Sequence, residues 1–419
     1  METTETTVAT PAGELVIGGT VAPGFEGVRD AFARNFSENG EAGAAFSLVH
    51  EGRTVVDLWG GVADVEDGTP YGPDTLQLVF STTKGATAIC ANMLAQRGEL
   101  DVDAPVTEYW PEFGAAGKGD IPVRYLLCHK AGLPYVEGDL SFEEVLGWEA
   151  PVAGLAAMEP IWEPGTAHGY HAVTYGWLVG ELVRRVSGRS LGTFFADEVA
   201  GPLGLEFWVG LPDEQQGRVA PLTNRGLRAT DGTPLSDDDG LGGMLAQLED
   251  LLGPGSLLAK ALGGASSMPL VVDGAFNRPE LRAAELPAAN GVTNARSLAR
   301  MYAAAIGPVE GAEAVGPLLA PDQLAAATTT QTEGNDRVLF FETTFGLGFM
   351  TSSPFSPYGS ARAFGHAGAG GSVGFADPEV GVGFGYVMNR TMTNMSGDPR
   401  SRGLVTAVHE ALGTTPAFA

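Results

Sequence analysis

Segments with the pattern of β-strands occur towards both ends of this 419-residue chain, whereas its middle is mostly helical. Residues 44–50 and 54–59 are two apolar, strand-like runs joined by Glu51-Gly52, which is typical of a β-hairpin. Three further strand patterns occur late in the chain, at 345–351, 371–376 and 380–389. The simplest packing brings both sets into one antiparallel sheet covered by helices, with a helical lobe inserted between them. We therefore expect an α+β fold with two lobes.

Helices are predicted where apolar residues recur at helical spacing. They are expected at 24–39, 81–98, 123–128, 142–148, 173–186, 191–199, 294–305 and 402–412. This order predicts an α/β lobe with the antiparallel sheet, built from residues 20–80 and 290–415, and a mainly helical lobe with irregular loops at 81–289. Residues 1–19 are expected to form an N-terminal extension. Residues 208–290, which are rich in Gly, Pro and Asp, are expected to line or cover a site.

The charge of the chain restricts its partners. The sequence has 51 acidic and 24 basic residues and a formal net charge of −27, which argues against nucleic acid and anionic membrane surfaces. No apolar run approaches the ~20 residues of a membrane-spanning helix. The N-terminal segment lacks a basic region followed by an apolar core, so we expect no signal peptide and a cytoplasmic protein. A small-molecule partner is expected, and nothing favours a monomer over a homo-oligomer.

The residues that commonly bind metals show no metal-site pattern. The two cysteines, Cys90 and Cys128, lie in apolar segments and are predicted to be buried reduced thiols rather than a disulfide. The acidic run Asp237-Asp238-Asp239 lacks the alternating ligand spacing of a calcium loop. We therefore expect neither a metal nor another cofactor.

The stretch from Phe80 to Ala88 carries the first chemical motif. Ser81 falls in the first turn of a predicted helix, where free N–H groups and the positive end of the helix dipole favour a developing negative charge. Lys84 lies three residues on and stands over the same face. A desolvated lysine with a lowered pKa can take the proton of a serine hydroxyl and make it a nucleophile. The alternative is an N-capping serine followed by a solvated lysine.

Two further segments carry candidate residues. Tyr170, in a loop before a helix, can donate and accept a proton if a nearby cation lowers its pKa; the alternative is a half-buried aromatic ring with a structural hydroxyl. The segment Gly365–Ser372 is rich in glycine and leads into a strand, so a substrate can approach its backbone closely. Its N–H groups are candidates for an oxyanion hole with that of Ser81. The alternative is a glycine-rich turn with a surface histidine.

Together these motifs resemble those of the β-lactamase-related serine hydrolases, a group that contains class C β-lactamases, D-alanyl-D-alanine peptidases and family VIII carboxylesterases. The matching segments follow the order of the family and are Ser81-Thr-Thr-Lys84, Leu126–Pro134, Glu163-Pro-Gly with Tyr170, Asn290-Gly291, Phe345-Gly-Leu-Gly and Gly365-His-Ala-Gly368. The resemblance implies a β-lactamase/DD-peptidase-like fold, with an antiparallel sheet flanked by helices and an all-helical lobe.

The resemblance also implies roles for the motif residues. Ser81 would be the acylated nucleophile, and Lys84 and Tyr170 would share the general-base and general-acid work. The N–H groups of Ser81 and Ala369 would form the oxyanion hole. His366 and Gly368, in the third motif, would be substrate-binding residues.

Other residues near these motifs receive simpler assignments. Trp162 is expected to line the substrate pocket. His129 and His168 are expected to be structural, and Trp177 is expected to serve packing.

One departure from the family pattern bears on the substrate. The second motif of β-lactamases is Y-x-N, whereas this chain has Tyr170-His171-Ala172, and alanine cannot hydrogen-bond a substrate amide. We therefore favour a serine carboxylesterase of the family VIII type, acting on small, short-chain esters through an acyl-enzyme. The alternatives are a β-lactamase or a D-amino-acid peptidase or acyltransferase on the same scaffold, and a catalytically silent binding protein.

A second serine motif is present. Gly370–Gly374 satisfies G-x-S-x-G with Ser372, and Asp377 and His409 follow in the order of the α/β-hydrolases. That motif needs a strand before the serine and a helix after it, whereas Ser372 is predicted to enter a strand. We therefore do not expect Ser372 to be the nucleophile.

Overall fold

The computed structural model describes residues 2–10, 13–224, 253, 255–270, 274–392 and 398–418. Asp237-Asp238-Asp239 and much of the segment 208–290 lie outside the described residues. The strands in the described residues are β1 (Glu2–Thr10), β2 (Gly13–Val21), β3 (Gly43–His50), β4 (Arg53–Gly61), β5 (Gln77–Leu78), β6 (Phe207–Trp208), β7 (Val292–Thr293), β8 (Thr332–Asn335), β9 (Glu342–Phe345), β10 (Met350–Thr351), β11 (Phe364–Ala367), β12 (Val373–Asp377) and β13 (Val382–Met388).

Ten of these strands form one sheet in the order β1-β2-β4-β3-β13-β12-β11-β10-β9-β8. Every neighbouring pair is antiparallel. The central pair joins the two ends of the chain, because His50 of β3 pairs with Val382 of β13. A small second sheet has the order β5-β7-β6. The predicted antiparallel sheet with strands from both ends is confirmed.

The helices of the described residues cover both faces of the large sheet and fill the middle of the chain. They are α1 (Glu26–Ser37), α2 (Thr83–Gln96), α3 (Val123–Leu127), α4 (Phe142–Leu146), α5 (Glu149–Ala157), α6 (Thr174–Ser187), α7 (Leu191–Phe195), α8 (Gly201–Leu203), α9 (Leu257–Gly263), α10 (Pro279–Ala283), α11 (Ala295–Ile306), α12 (Pro321–Thr328) and α13 (Pro399–Ala411). The α+β class, with its helix-rich middle, is therefore confirmed.

Alternating residues of β13 explain how the sheet packs between helices. Successive side chains of a strand point to opposite faces. Phe384 and Tyr386 are buried on the face that α1 and α13 cover. The opposite face carries glycines, and a Cβ atom added at Gly385 would clash with the carbonyl oxygen of Ala295 in α11. The missing side chains therefore let α11 lie directly on the sheet.

Helix α2 occupies the centre of the helical part. All its residues from Thr83 to Leu94 are buried, and it packs against α6 and α7. Cys90 on α2 and Cys128 after α3 are buried free thiols, as predicted. No helix among the described residues is long and apolar enough to cross a membrane.

Two parts of the sheet differ from the expected strands. The N-terminal segment pairs as β1 and β2 at one end of the sheet, although its acidic, threonine-rich start shows little apolar periodicity. The predicted strand at 345–351 is interrupted, because the chain leaves β9 at Phe345 and returns at Met350 in β10. Gly348, with a φ of +93°, lies within this interruption, where a Cβ atom would contact the Tyr175 hydroxyl at 2.5 Å.

Candidate active site

Ser81 lies in a tight turn at the start of α2. A short 3₁₀ helix, Phe80–Thr82, leads directly into α2. Phe80 has a φ of +44°, a conformation that is rare for a residue other than glycine and is found at functional sites. The ring of Phe80 packs against that of Phe276 at a centroid distance of 4.8 Å. Packing thus supports a strained turn immediately before Ser81.

The Asn290-Gly291 segment supports the same turn. The Val79 N–H donates to the Gly291 carbonyl at 2.9 Å, and the Gly291 N–H donates to Thr83 Oγ1 at 2.8 Å. The Thr83 hydroxyl donates in turn to the Phe80 carbonyl at 2.5 Å. A segment distant in sequence therefore fixes the backbone on both sides of Ser81.

Lys84 is fully buried behind Ser81. Its Nζ atom lies 3.1 Å from Ser81 Oγ, 2.7 Å from the Ala172 carbonyl oxygen and 2.9 Å from the Ala288 carbonyl oxygen. Desolvation lowers the pKa of Lys84 well below its ordinary value, because burial disfavours the charged form. These observations exclude the solvated-lysine alternative.

Tyr170 completes a group of three side chains. Its ring centroid lies 4.7 Å from Lys84 Nζ, and Ser81 is a polar neighbour of its hydroxyl. Burial raises the pKa of Tyr170, and the polar neighbour Ser81 only partly offsets that effect. The condition stated for Tyr170, that a nearby cation lowers its pKa, is not met, because desolvation dominates. Tyr170 keeps its proton.

The glycine-rich loop faces this group from the end of β11. The Gly368 N–H donates to the Ser372 carbonyl at 2.7 Å, which closes the loop around Ala369. The Ser372 hydroxyl donates to the Val79 carbonyl at 2.8 Å and lies 3.0 Å from Thr82 Oγ1. Ser372 therefore ties the loop to the turn that carries Ser81.

His366 is buried in β11 beside the loop. Its Nδ1 atom lies 2.7 Å from the Ala367 carbonyl oxygen, which can only accept, so Nδ1 carries the proton. Burial, followed by the charge of Lys84, lowers the pKa of His366 to about 3. The surface-histidine alternative is wrong, and the ring is uncharged at neutral pH.

Arg400 anchors the far end of the loop. Its guanidinium group is fully buried and donates to the Gly370 carbonyl at 2.6 Å, to Asp398 at 2.7 Å and to both oxygens of Glu41 at 3.1 Å. A Cβ atom added at Gly371 would clash with this guanidinium group. The loop thus rests on an ion-pair network beneath α13.

A cavity of about 150 Å³ opens in front of these residues. Five predicted site residues line it, namely Ser81, Tyr170, His366, Gly368 and Ala369. Its walls are mainly apolar, with contributions from Leu262, Leu339, Phe341, Met350, Phe355 and Phe375. No lysine or arginine is among the described residues that line it. The carboxylate of Asp398 is the charged group there, and Arg400 pairs with it.

The structure does not bring Trp162 to the cavity lining. Trp162 is buried with Tyr170, Val338 and Phe345 in a small apolar cluster behind the site, and the Arg337 guanidinium lies 5.5 Å from its ring. Trp177 is buried in the helical core.

His129 and His168, the two histidines expected to be structural, make hydrogen bonds to the backbone and to a side chain behind Tyr170. The Nδ1 atom of His129 accepts the His171 N–H at 3.1 Å. The Nε2 atom of His168 lies 2.9 Å from Thr343 Oγ1. Neither histidine lines the cavity.

The second serine motif does not assemble a catalytic group. Ser372 immediately precedes β12, whereas Asp377 lies at the other end of that strand, ~16 Å along an extended chain. His409 Nε2 lies 3.8 Å from Asp377, but the Ser372 hydroxyl is bonded to Val79. The expectation that Ser372 is not the nucleophile agrees with this geometry.

No group of three or more His, Cys, Asp or Glu side chains in the described part of the chain is placed to hold a metal ion.

The sequence did not indicate Asp336, Arg400 or the aromatic walls of the cavity. These residues come from separate segments, and no local motif marks them.

Comparison with known proteins identifies similar chains. The family model described as Beta-lactamase matches residues 29–408. The esterase/beta-lactamase LipL of Mycobacterium tuberculosis is 35% identical over 389 residues, which cover 91% of this chain and 85% of that protein. The crystal structure of a family VIII carboxylesterase is 37% identical, with a TM-score of 0.80 over 94% of this chain and 99% of that one. A penicillin-binding protein homolog from Caulobacter crescentus is 38% identical, with a TM-score of 0.79 and the same coverage.

Proposed function

Because the chain belongs to the beta-lactamase family, we propose that it is a serine carboxylesterase that hydrolyses small, uncharged esters through an acyl-enzyme on Ser81. The observation that carries this proposal is the set of hydrogen-bond partners around Lys84. An uncharged primary amine has two N–H groups and one lone pair. The carbonyl oxygens of Ala172 and Ala288 can only accept, so they take the two N–H groups and leave the lone pair for the hydroxyl of Ser81.

The first half of the reaction forms the acyl-enzyme. Ser81 Oγ attacks the ester carbonyl carbon while its proton moves to Lys84 Nζ. The N–H groups of Ser81 and Ala369 stabilise the negative oxygen of the tetrahedral intermediate. When the intermediate collapses, the ester C–O bond breaks and the alcohol leaves with a proton.

Tyr170 carries that proton from Lys84 to the leaving group. Its raised pKa means that the phenol stays protonated, so it gives up its own proton only as it receives another. The buried ammonium group of Lys84 is unfavourable and returns to the neutral form readily. Water then attacks the acyl-enzyme, passes a proton along the same route and restores the Ser81 hydroxyl.

The charge of the cavity favours neutral esters over β-lactams and D-amino-acid peptides. Both of those substrate classes carry a carboxylate. His366 is uncharged, and the described cavity lining contains no lysine or arginine to receive such a group. A buried carboxylate without a partner costs several kcal/mol. The apolar walls suit a short acyl chain or a small alcohol group instead.

Labelling with a fluorophosphonate probe tests this function directly. We expect the probe to inactivate the hydrolysis of p-nitrophenyl butyrate and to modify the peptide that contains Ser81, since the reagent mimics the tetrahedral intermediate. Absence of labelling together with absence of ester turnover would instead identify a catalytically silent binding protein. Labelling at another serine would reject Ser81 as the nucleophile.

A further inference from the structure

Asp336 is a buried carboxylate that joins two distant segments beside the cavity. It follows β8, and its side chain is fully buried. One oxygen, Oδ1, accepts the N–H groups of Val338 at 2.8 Å, Leu339 at 2.9 Å and Tyr170 at 3.0 Å. The first two bonds close a local turn. The third reaches 166 positions along the chain, to a residue of the candidate active site.

The Tyr170 segment needs external support because it is irregular up to the start of α6. Three consecutive N–H groups of this segment are held from outside it. The Gly169 N–H donates to the His129 carbonyl at 3.1 Å, the Tyr170 N–H to Asp336, and the His171 N–H to the ring of His129 at 3.1 Å. Asp336 therefore supplies the central contact that places Tyr170.

The turn that begins at Asp336 is also part of the cavity wall. The Asp336 N–H donates to the Phe341 carbonyl at 3.0 Å, and Leu339 and Phe341 line the cavity. Between them, Phe340 is exposed and has a φ of +64°. A left-handed phenylalanine is costly, so the bonds to Asp336 hold the turn in a conformation that it would not adopt alone.

The carboxylate is not paired with a strong cation. No lysine or arginine in the described ranges forms an ion pair with Asp336. The nearest basic group is His168, whose Nε2 atom lies 3.9 Å from Oδ2 and whose pKa is lowered by burial. Backbone N–H groups and the Thr343 hydroxyl, at 3.2 Å, therefore stabilise the carboxylate. The bonds to the Val338 and Leu339 N–H groups would be enough to close a local turn. The bond from the Tyr170 N–H is therefore not needed for the turn itself.

We propose that Asp336 is a positioning residue that holds Tyr170 over Ser81 and fixes it relative to the Leu339–Phe341 wall of the cavity. The inference rests on the proposed function, because it assigns to Asp336 an effect on proton transfer through Tyr170. Asp336 itself does not touch the reacting atoms.

A double-mutant cycle separates this role from a merely structural one. In Asp336→Ser the hydroxyl can still cap the local turn, and the bond from the Arg337 N–H to the His168 carbonyl remains, but the side chain is too short to reach the Tyr170 N–H. We expect kcat for p-nitrophenyl butyrate to fall about 10- to 100-fold with little change in KM. In a Tyr170→Phe background the same change should lower kcat by less than about threefold, because the function of Tyr170 is already lost.

Two variants complete the experiment. Asp336→Asn keeps an oxygen acceptor, so we expect it to lower kcat less than Asp336→Ser; it also replaces the serine variant in the cycle if that variant does not fold. Thr343→Val removes the hydroxyl partner of Oδ2 and of His168 Nε2 but leaves the bond from the Tyr170 N–H to Oδ1, and it should keep kcat within about threefold. Equal losses of kcat in the parent and Tyr170→Phe backgrounds, or no loss in either, would overturn the proposal. Full activity of Ser81→Ala would instead reject the proposed function.

Discussion

The Nζ atom of Lys84 lies 3.1 Å from the Oγ atom of Ser81, and the lysine is fully buried at that position. Burial lowers the pKa of this amine, because it disfavours the charged form and so makes the neutral form with its free lone pair more available. The residues around this pair explain the rest of the site.

Replacing the two candidate serines distinguishes the two serine motifs. We expect Ser81→Ala to lower kcat/KM for p-nitrophenyl butyrate by at least about 10⁴-fold, because no other group can form the acyl-enzyme. Ser372→Ala removes the hydroxyl bonds to Val79 and Thr82 and should lower it by less than about tenfold, the effect of one or two hydrogen bonds. Steady-state kinetics of both variants provide the measurement, and the reverse order of effects would reject the assignment.

The pH dependence of the reaction reports on Lys84. In the proposed mechanism the neutral amine is the active form. Its pKa is lowered, so kcat/KM should rise as the pH rises through that pKa and fall on the acid side. Lys84→Arg keeps the positive charge permanently and should lower kcat/KM by at least about 10³-fold at every pH. A pH–rate profile with no acid limb, or an active arginine variant, would contradict the role of Lys84 as base.

The charge selectivity of the cavity is tested with two esters of similar size. We expect kcat/KM for p-nitrophenyl butyrate to exceed that for p-nitrophenyl hemisuccinate by at least about 30-fold, since about 2 kcal/mol of unpaired charge burial corresponds to that ratio. Nitrocefin, which also carries a carboxylate, should be a poor substrate.

A gain-of-charge variant provides the control for this selectivity. His366→Lys places a cation beside Tyr170 and should reduce the preference for the butyrate ester by about tenfold or more. If the parent protein hydrolyses both esters equally well, the lack of a lysine or arginine in the described cavity lining does not determine whether the substrate is charged.

The buried ion pairs of Arg400 predict a large effect on stability. Arg400→Met leaves Glu41 and Asp398 without their cation and should lower the free energy of unfolding by about 3–5 kcal/mol. The matched control is Arg29→Met, whose exposed pair with Asp30 should contribute less than about 1 kcal/mol. Urea unfolding of both variants measures the difference. Similar losses of unfolding free energy for the two variants would show that burial does not increase the contribution of the Arg400 ion pairs to stability.

Local patterns predicted those parts of the fold that depend on neighbouring residues. The hairpin of β3 and β4 follows from two apolar runs and from Glu51-Gly52, which both have positive φ, as a two-residue hairpin turn requires. The strands β1 and β2, at one end of the sheet, lack a clear apolar pattern, because much of this hairpin is exposed or only partly buried. Their pairing was therefore not evident from the sequence.

The same distinction applies to the candidate site. Ser81 and Lys84 are one helical turn apart, so their proximity follows from their spacing. The presence of Tyr170 beside them was inferred only from the family resemblance. Trp162 is near Tyr170 in sequence, yet its ring packs behind the site rather than in the cavity lining. The contact between Asp336 and Tyr170 joins residues with no shared pattern, so only the folded chain reveals it.

The network beneath the glycine-rich loop has a consequence for biosynthesis. Glu41 and Arg400 are 359 positions apart. The centre of the sheet can form only after β13 has been synthesised, because β3 pairs with it. Ser81 and Lys84 leave the ribosome early, but the loop proposed to support the oxyanion is anchored only after α13 has been translated. A nascent chain therefore carries its proposed nucleophile for most of its synthesis before the rest of the proposed active site can form. Contacts of such long sequence separation also predict slow maturation after release.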